Sequence, residues 1–161
     1  MSDLSRSDPL DLTACLVRAL ALYSLAEFQL GHATTIRVSA AGASFNVVDD
    51  GRGHAIERTV DGSPYLEFVY THLDYPFQTS HGSLIQLHGI GMSLINILCR
   101  ELSVAARKRD ATLRMEFLNG QLSREELIDI RSEDTGNTIS GTVRPQLQNE
   151  GGDAEAIGGG C

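Results

Sequence analysis

Two short glycine motifs, one after a predicted strand and one before a predicted helix, are the features that most constrain the fold of this chain. DDGRG occupies Asp49–Gly53 directly after the segment SFNVV, and LHGIG occupies Leu87–Gly91 directly before an apolar run. Glycines at such points let the backbone approach a ligand closely, and the amides at a helix N-terminus suit phosphate. Either motif alone is more often a turn. Their order and their spacing of about 35 residues, with a helix and a loop between, predict a ligand site.

The first carboxylate of the DDGRG motif is the candidate for recognising a nucleotide base. Asp49 directly follows the predicted strand. A carboxylate there can accept a hydrogen bond from an exocyclic amine. The alternative is a carboxylate that only stabilises a turn at the strand end.

Residue periodicity predicts the elements around the two motifs. A helix capped by Asp11 or Thr13 ends at Gly31, and TTIRVSA and SFNVV are two strands around the turn AAGA. Later segments predict a helix over 64–73, a polar loop or lid over 74–88, a buried helix in GIGMSLINILCREL, and strands in SVAARK, TLRMEF, 127–131 and 138–144. Together they predict a two-layer α/β sandwich, with helices on one face of a mainly antiparallel sheet.

Length and charge limit the organisation and the partners. The 161 residues suit one domain over 9–145, followed by a flexible, acidic, glycine-rich tail over 146–161. A net charge of −8 argues against direct nucleic-acid or membrane binding, and the run Arg107–Arg109 predicts only a solvated hairpin end. Neither the cysteines nor the five histidines have the spacing of a metal site. The expected location is the cytoplasm.

Several segments resemble one family of ATP-binding domains. VVDDGRG is similar to VxDNGRGIP, QLHGIGMSLINILCREL to GLHGVGxSVVNALS, and TGNTISGTVRP to TGTxVRFxP. These motifs are those of the gyrase B branch of the GHKL (Bergerat-type) ATP-binding domain, a domain that gyrase B shares with topoisomerase IV, MutL, the 90-kDa heat-shock chaperones and histidine kinases. The gyrase B branch is the most similar. The segment LVRALALYSLAEFQLGHATTIRVS aligns without a gap with its first long helix and strand, so the resemblance covers about residues 12–145.

The resemblance implies a nucleotide site, with ATP or ADP as the ligand. Asp49 would recognise the adenine amine, and two glycines of the same motif would make room for adenine and lid. The implied nucleotide-binding residues are Asp49, Gly51, Gly53, Gly89, Gly91 and Thr138. In a second register of the last strand, Asn137 would take the place near adenine.

The resemblance also implies supporting residues. Arg52 would pair with Glu27, which falls on an acidic position of the family's first helix. His54 replaces an isoleucine that touches adenine in the family, so it would alter the pocket wall.

The first helix departs from the family where hydrolysis is carried out. Ala19 stands in place of the glutamate that activates water, and loss of a general base typically costs about 10²–10⁴ in rate. Tyr23 replaces the asparagine that holds Mg²⁺, and Leu22 replaces an aspartate. Mg²⁺ needs hard oxygen ligands, so these changes count against the metal. No catalytic residue is predicted.

Three functional hypotheses follow. The leading one is a degenerate module that binds adenine nucleotide without efficient hydrolysis and acts through a conformational state or a protein partner. The second is a nucleotide-free interaction or regulatory protein whose pocket is filled by Tyr23 and Leu22. The third is a working ATPase in which Glu27 or His54 serves as a relocated base. The oligomeric state is left open.

Overall fold

The computed structural model describes residues 11–57, 59–60, 62–72, 91–129 and 131–145. The elements are, in order, α1 (Leu12–Gln29), β1 (Ile36–Ala41), β2 (Ser44–Asp49), β3 (Thr59–Val60), β4 (Ser63–Pro64), α2 (Tyr65–Thr71), α3 (Met92–Leu98), β5 (Cys99–Arg107), β6 (Thr112–Leu118), β7 (Gln121–Ile128) and β8 (Gly136–Val143). The expected lid over 74–88, the expected tail over 146–161 and Gly89 lie outside the described residues.

A six-stranded sheet forms one layer of the fold. Its strand order is β1-β2-β8-β5-β6-β7, and each pair of neighbours is antiparallel. The predicted α/β sandwich on a mainly antiparallel sheet is therefore confirmed. Among the described helices, none is long and apolar enough to cross a membrane.

The first helix covers the half of the sheet that carries Asp49. The Asp11 side chain accepts a hydrogen bond from the Ala14 amide at 3.1 Å, which caps the helix, and Gly31 follows its end with a positive φ of 79°. Leu16 and Leu20 are fully buried on the inner face. The helix packs against β1, β2 and β8, so its inner face determines which side chains meet the end of β2.

The predicted helix in GIGMSLINILCREL is too long at its C-terminal end. The helix α3 ends at Leu98, and β5 begins at Cys99. Cys99 lies opposite Val143 of β8, and the alternating burial of Leu102 and Val104 follows the period of a strand. Pairing with β8 therefore overrides the helical pattern of the apolar run.

The predicted strand over 127–131 also needs correction, because β7 begins earlier, at Gln121. The turn residues Asn119 and Gly120 have φ values of 51° and 83°, which suit a two-residue hairpin. This turn fixes the pairing of Leu118 with Gln121, so the strand starts immediately after it.

The register of β2 and β8 brings the candidate site together. Val47 pairs with Ile139, and both side chains are buried on the helix-covered face. Because side chains alternate along a strand, Asp49 and Asn137, two residues further on, lie on this same face. Both are buried.

Gly136, at the start of β8, should be far less tolerant of a side chain than Gly42. Gly136 has a φ of 123°, and a Cβ there would overlap the carbonyl oxygen of Asp49 and lie 2.9 Å from the Asp50 Cα. Gly42 also has a positive φ, 58°, but a Cβ there would meet nothing within 4 Å. We expect Gly136→Ala to lower the free energy of unfolding by about 3 kcal/mol or more, and Gly42→Ala by about 1 kcal/mol. Urea denaturation measures both, and equal losses would contradict the close approach of β8 to Asp49.

Candidate functional site

The carboxylate of Asp49 joins three parts of the fold. Its Oδ2 accepts a hydrogen bond from the Ser24 hydroxyl of α1 at 2.9 Å. Its Oδ1 accepts from the Gly51 amide at 3.0 Å and from the Asn137 amide at 3.3 Å. The side chain is only 3% exposed. Helix, loop and strand β8 are thus held by one buried acceptor.

The predicted ion pair between Arg52 and Glu27 is confirmed. The Arg52 Nη2 lies 2.6 Å from Glu27 Oε1, and the Arg52 Nε donates to Oε2 at 3.0 Å. The Arg52 backbone amide also donates to Oε2, at 3.2 Å. A two-pronged pair of this kind fixes both side chains in one geometry. Glu27, buried on α1, therefore holds the loop that follows β2.

The glycines of this loop have packing reasons of their own. A Cβ on Gly53, where φ is 74°, would lie 2.7 Å from the Arg107 carbonyl oxygen. A Cβ on Gly51 would lie 3.1 Å from both the Asp49 Oδ1 and the Glu27 Oε2. The role expected of both glycines, making room for a nucleotide, thus coincides with a role in close packing of the protein itself.

Two aromatic hydroxyls enclose the ring of His54. The His54 Nδ1 is 2.9 Å from the Tyr23 hydroxyl, and its Nε2 is 3.2 Å from the Tyr70 hydroxyl. Tyr70 also stacks on Phe117, with ring centroids 5.6 Å apart. All of these side chains are buried. We call Tyr23, His54 and Tyr70 the ring network; it connects α1, the loop and α2.

Burial keeps the ring network neutral. Burial, followed by the charge of Lys108, lowers the pKa of His54 from its ordinary 6.5 to about 3, although Glu27 acts in the opposite direction. Burial also raises the pKa of Tyr23 and of Tyr70 well above the ordinary value. Since a neutral imidazole has one donor and one acceptor, one hydroxyl donates to the ring and the other accepts from it.

Asn137 carries a buried donor without a partner among the described residues. Its Oδ1 accepts a hydrogen bond from the His54 backbone amide at 2.8 Å. Its Nδ2 has no hydrogen-bond partner in that part of the chain, and the residue is only 1% exposed. Thr138 differs from it, since its hydroxyl accepts a hydrogen bond from the Arg107 Nη1. Of the two residues weighed for the place near adenine, Asn137 therefore contacts Asp49 through its backbone amide, and the Thr138 hydroxyl is engaged elsewhere.

The basic run at 107–109 is not merely a solvated hairpin end. The Arg107 Nη2 donates to the Asp49 carbonyl oxygen at 3.1 Å. The Lys108 Nζ donates to the carbonyl oxygens of Arg52 and Gly53 at 2.9 and 3.0 Å. Only Arg109 is exposed. These cations satisfy the carbonyl groups of the glycine loop, which explains why the prediction was wrong.

Most of the predicted site residues meet around the end of β2: Tyr23, Glu27, Asp49, Gly51, Arg52, Gly53 and His54. Gly91 is the N-cap of α3, and its carbonyl oxygen accepts hydrogen bonds from the Leu94 and Ile95 amides of that helix. No group of three or more His, Cys, Asp or Glu side chains that could hold a metal occurs in the described part of the chain.

Sequence reasoning missed Ser24, Tyr70 and Lys108. Ser24 lies three residues before Glu27, so helical spacing places both on one face. Tyr70 follows Leu66 and Val69 at helical spacing, which indicates a buried position. No local pattern identifies Lys108, because its role depends on the β5–β6 hairpin lying beside the glycine loop.

The chain is similar to curated DNA gyrase B proteins over most of its length. It is 31% identical over 121 residues to DNA gyrase B of Micrococcus luteus, a match that covers 72% of this chain and 17% of the relative. It is 33% identical over 132 residues to DNA gyrase B of Streptococcus pyogenes, covering 79% of this chain and 20% of the relative. The chain thus spans about a fifth of the length of these relatives. No protein-family model matches the sequence.

A solved structure supports the fold. The chain is similar to the 43K ATPase domain of Thermus thermophilus gyrase B, whose crystal structure contains an aminocoumarin. The TM-score is 0.65 and the identity 23%, and the match covers 83% of this chain and 34% of the other.

The neutral, buried state of His54 predicts a loss of stability in mild acid. The unfolded chain binds a proton at this residue near pH 6.5, whereas the folded chain does so only near pH 3. Below pH 6.5 protonation therefore favours the unfolded state, at up to about 1.4 kcal/mol per pH unit. Burial by itself would raise the pKa of Asp50, but the hydrogen bonds from Thr34 and Thr35 together outweigh it and lower this pKa. Protonation of Asp50 therefore reduces the stability of the fold mainly below about pH 4, the ordinary pKa of an unfolded Asp.

Urea denaturation at pH 7, 6, 5 and 4.5 tests this for the wild type and for His54→Gln. We expect the wild type to lose stability over this range with a slope that is absent in His54→Gln. The exposed residue His72 provides the control, because His72→Gln should retain the wild-type slope. Equal slopes in the wild type and His54→Gln would contradict a neutral His54 in the folded state.

Proposed function

Because the chain contains a gyrase B-like domain of the GHKL family, we propose that it binds an adenine nucleotide through Asp49 and does not hydrolyse it efficiently. The proposal concerns this domain only, since the matched relatives are about five times longer. In this proposal the nucleotide-bound state is what a protein partner recognises.

The observation that carries the proposal is the hydrogen bonding of Asp49. A carboxylate offers about four acceptor positions. Asp49 uses two of them on Oδ1 and one on Oδ2, so one position on Oδ2 remains. A buried acceptor with one remaining position suits the 6-amino group of adenine. The surrounding bonds hold it in place before the ligand arrives.

Poor hydrolysis follows from the groups that face the site. Ala19, at the position of the family's general base, is buried and has no proton acceptor on its side chain. Both carboxylate oxygens of Glu27 accept hydrogen bonds from Arg52. Both ring nitrogens of His54 are hydrogen-bonded to tyrosine hydroxyls. Taking a proton from water would weaken the ion pair of Glu27 with Arg52 or cost His54 one of its two hydrogen bonds, so neither candidate for a relocated base is favoured.

The residues present do not fit Mg²⁺. The ion favours carboxylate and amide oxygens in an octahedral arrangement. At the family's asparagine position, Tyr23 instead presents a phenol that is bound to His54, and Leu22 beside it has no oxygen on its side chain. No step of the proposal therefore depends on a metal.

Thermal unfolding with ADP tests the proposal, with Asp49→Asn as the decisive variant. Asn can keep an oxygen at the Oδ1 position but places an NH₂ group at the Oδ2 position, where it would oppose the adenine amine. At about 100 times Kd, ADP should stabilise the wild type by about 2.7 kcal/mol, which is a rise in Tm of about 5–10 °C. Asp49→Asn should unfold cooperatively and show no rise.

The neighbouring carboxylate provides the matched control. Asp50 accepts hydrogen bonds from Thr34 and Thr35 instead of from the residues around Asp49. Asp50→Asn should therefore keep the ADP-dependent rise in Tm. No rise in the wild type, or an equal rise in Asp49→Asn, would contradict the proposal.

The ring network supports a second candidate, a nucleotide-free interaction protein. Tyr23 is 5% exposed and His54 is 4% exposed, and each satisfies the other's polar group. The rings thus fill space at the two positions where the family has an asparagine and an isoleucine near the ligand. In this candidate the protein acts through a protein partner alone. The net charge of −8 gives no support for direct nucleic-acid binding in either candidate.

Tyr23→Asn distinguishes the two candidates, with Tyr23→Phe as its matched control. Asn removes the ring and its volume, whereas Phe removes only the hydroxyl. If the ring fills the pocket, the ADP-dependent rise in Tm should be absent in the wild type and in Tyr23→Phe, and should appear in Tyr23→Asn. The leading proposal expects the rise in the wild type already, with a change of less than about 3 °C in Tyr23→Asn.

A further inference from the structure

We infer that β1 is the edge at which two copies of this chain associate, with their β1 strands antiparallel and Val38 at the centre of the pairing. The inference goes beyond the proposed function, because it requires no nucleotide and uses a different surface of the fold. It assigns the chain a symmetric dimer in which one sheet continues across both copies.

The inference starts from the unprotected outer edge of β1. This strand lies at one end of the sheet, and no described strand pairs with its outer side. Its sequence IRVSAA contains a single charged residue, Arg37, and no proline, and its pairing with β2 is regular over Ile36–Ala41. An edge strand of this kind is a template for pairing with another chain.

The opposite edge of the sheet has the features that discourage such pairing. Strand β7 carries three consecutive charged residues, Arg124, Glu125 and Glu126. Its pairing with β6 also shifts register between Glu116 and Phe117. Charges and bulges protect an edge strand from association. The contrast between the two edges therefore favours β1 as the edge that binds.

The pairing with β2 determines which backbone groups of β1 face outward. The Asp50 amide donates to the Thr35 carbonyl oxygen, so the residues that bond to β2 recur at every second position from Thr35. The residues between them, Ile36, Val38 and Ala40, direct their N–H and C=O groups away from β2. These groups are therefore available to a further strand.

A second copy of β1 supplies matching groups in one register. With Val38 opposite itself, Ile36 lies opposite Ala40, so the outward residues of each copy exchange hydrogen bonds with those of the other. On the other face of the sheet, Arg37 lies opposite Ser39, and no like charges meet. Centring the pairing on Arg37 would instead oppose two guanidinium groups. The register centred on Val38 is thus self-complementary, as a twofold interface requires.

Exposed apolar side chains beside this edge favour a second copy over an isolated peptide strand. Val38 lies opposite Val47, so its side chain is on the helix-covered face, yet it is 46% exposed. Phe28 of α1 is also exposed, and it lies one turn after Ser24, which bonds to Asp49 beside the start of β1. A bare strand would pair with the backbone but bring no helix. A second copy would place its own α1 on the same face of the continuous sheet and cover these side chains.

Sedimentation equilibrium of the full chain without nucleotide tests the inference. We expect the wild type to associate reversibly to twice the mass of one chain. Val38→Lys should raise the Kd of the dimer about tenfold or more, because two ammonium groups would lie directly opposite each other. Leu127→Lys makes the same change of charge on β7, at a residue that is 58% exposed, and should leave the Kd unchanged. Both substitutions reduce the net negative charge, so general repulsion would not explain a loss of association.

Mixing two variants tests the register. Val38→Glu alone should associate as weakly as Val38→Lys alone. An equimolar mixture of the two should form a heterodimer, because position 38 of one copy lies opposite position 38 of the other and the charges are now opposite. Association in the mixture would also show that both variants are folded.

Three results would overturn the inference. The first is a wild type that stays monomeric up to about 1 mM. The second is a dimer that Val38→Lys leaves intact, or that Leu127→Lys weakens equally. The third is a mixture of the two charged variants that does not associate, which would contradict the register centred on Val38. None of these results bears on nucleotide binding, which the ADP experiments test separately.

Discussion

The end of strand β2 is held in place by the buried carboxylate of Asp49. Its three donors come from α1, from the loop that follows β2 and from β8, so a single side chain positions three elements that are distant in sequence. The ion pair between Glu27 and Arg52 adds a second connection between α1 and the same loop. An acceptor held so firmly is preorganised, which lowers the cost of ordering it around a ligand.

Beside this polar centre lies the neutral ring network, at positions where the resemblance implies ionic groups. The gyrase-like helix carries Ala19 and Tyr23 where the resemblance places a general base and a metal ligand. Tyr23 instead forms the ring network with His54 and Tyr70, which satisfies its polar atoms internally. A buried network whose members satisfy one another rigidifies the core without a bound ion. In the proposed function, the fold and base recognition are retained and hydrolysis is not.

Sequence reasoning was accurate where local pattern and chemistry agreed. Asp11, Gly31 and the Asn119–Gly120 turn each specify a boundary through a short-range interaction, and the structure contains all three. The predicted end of α3 was wrong because β5 pairs with the distant strand β8, which overrides local preference. The predicted start of β7 was wrong because the strand begins directly after the Asn119–Gly120 hairpin turn, where Leu118 pairs with Gln121. The choice between Asn137 and Thr138 could not be made from the sequence, since it follows from which face of β8 meets Asp49.

Binding of adenine nucleotide without a metal and without turnover is the property that would set this domain apart from a working ATPase. Calorimetric titration of ATP into the full chain, performed once with Mg²⁺ and once with EDTA, measures both features together. We predict saturable binding with the same Kd in both buffers and no continuing heat of hydrolysis. Binding that tightens more than about tenfold with Mg²⁺, a sustained heat of turnover, or no binding in either buffer would contradict the proposed function.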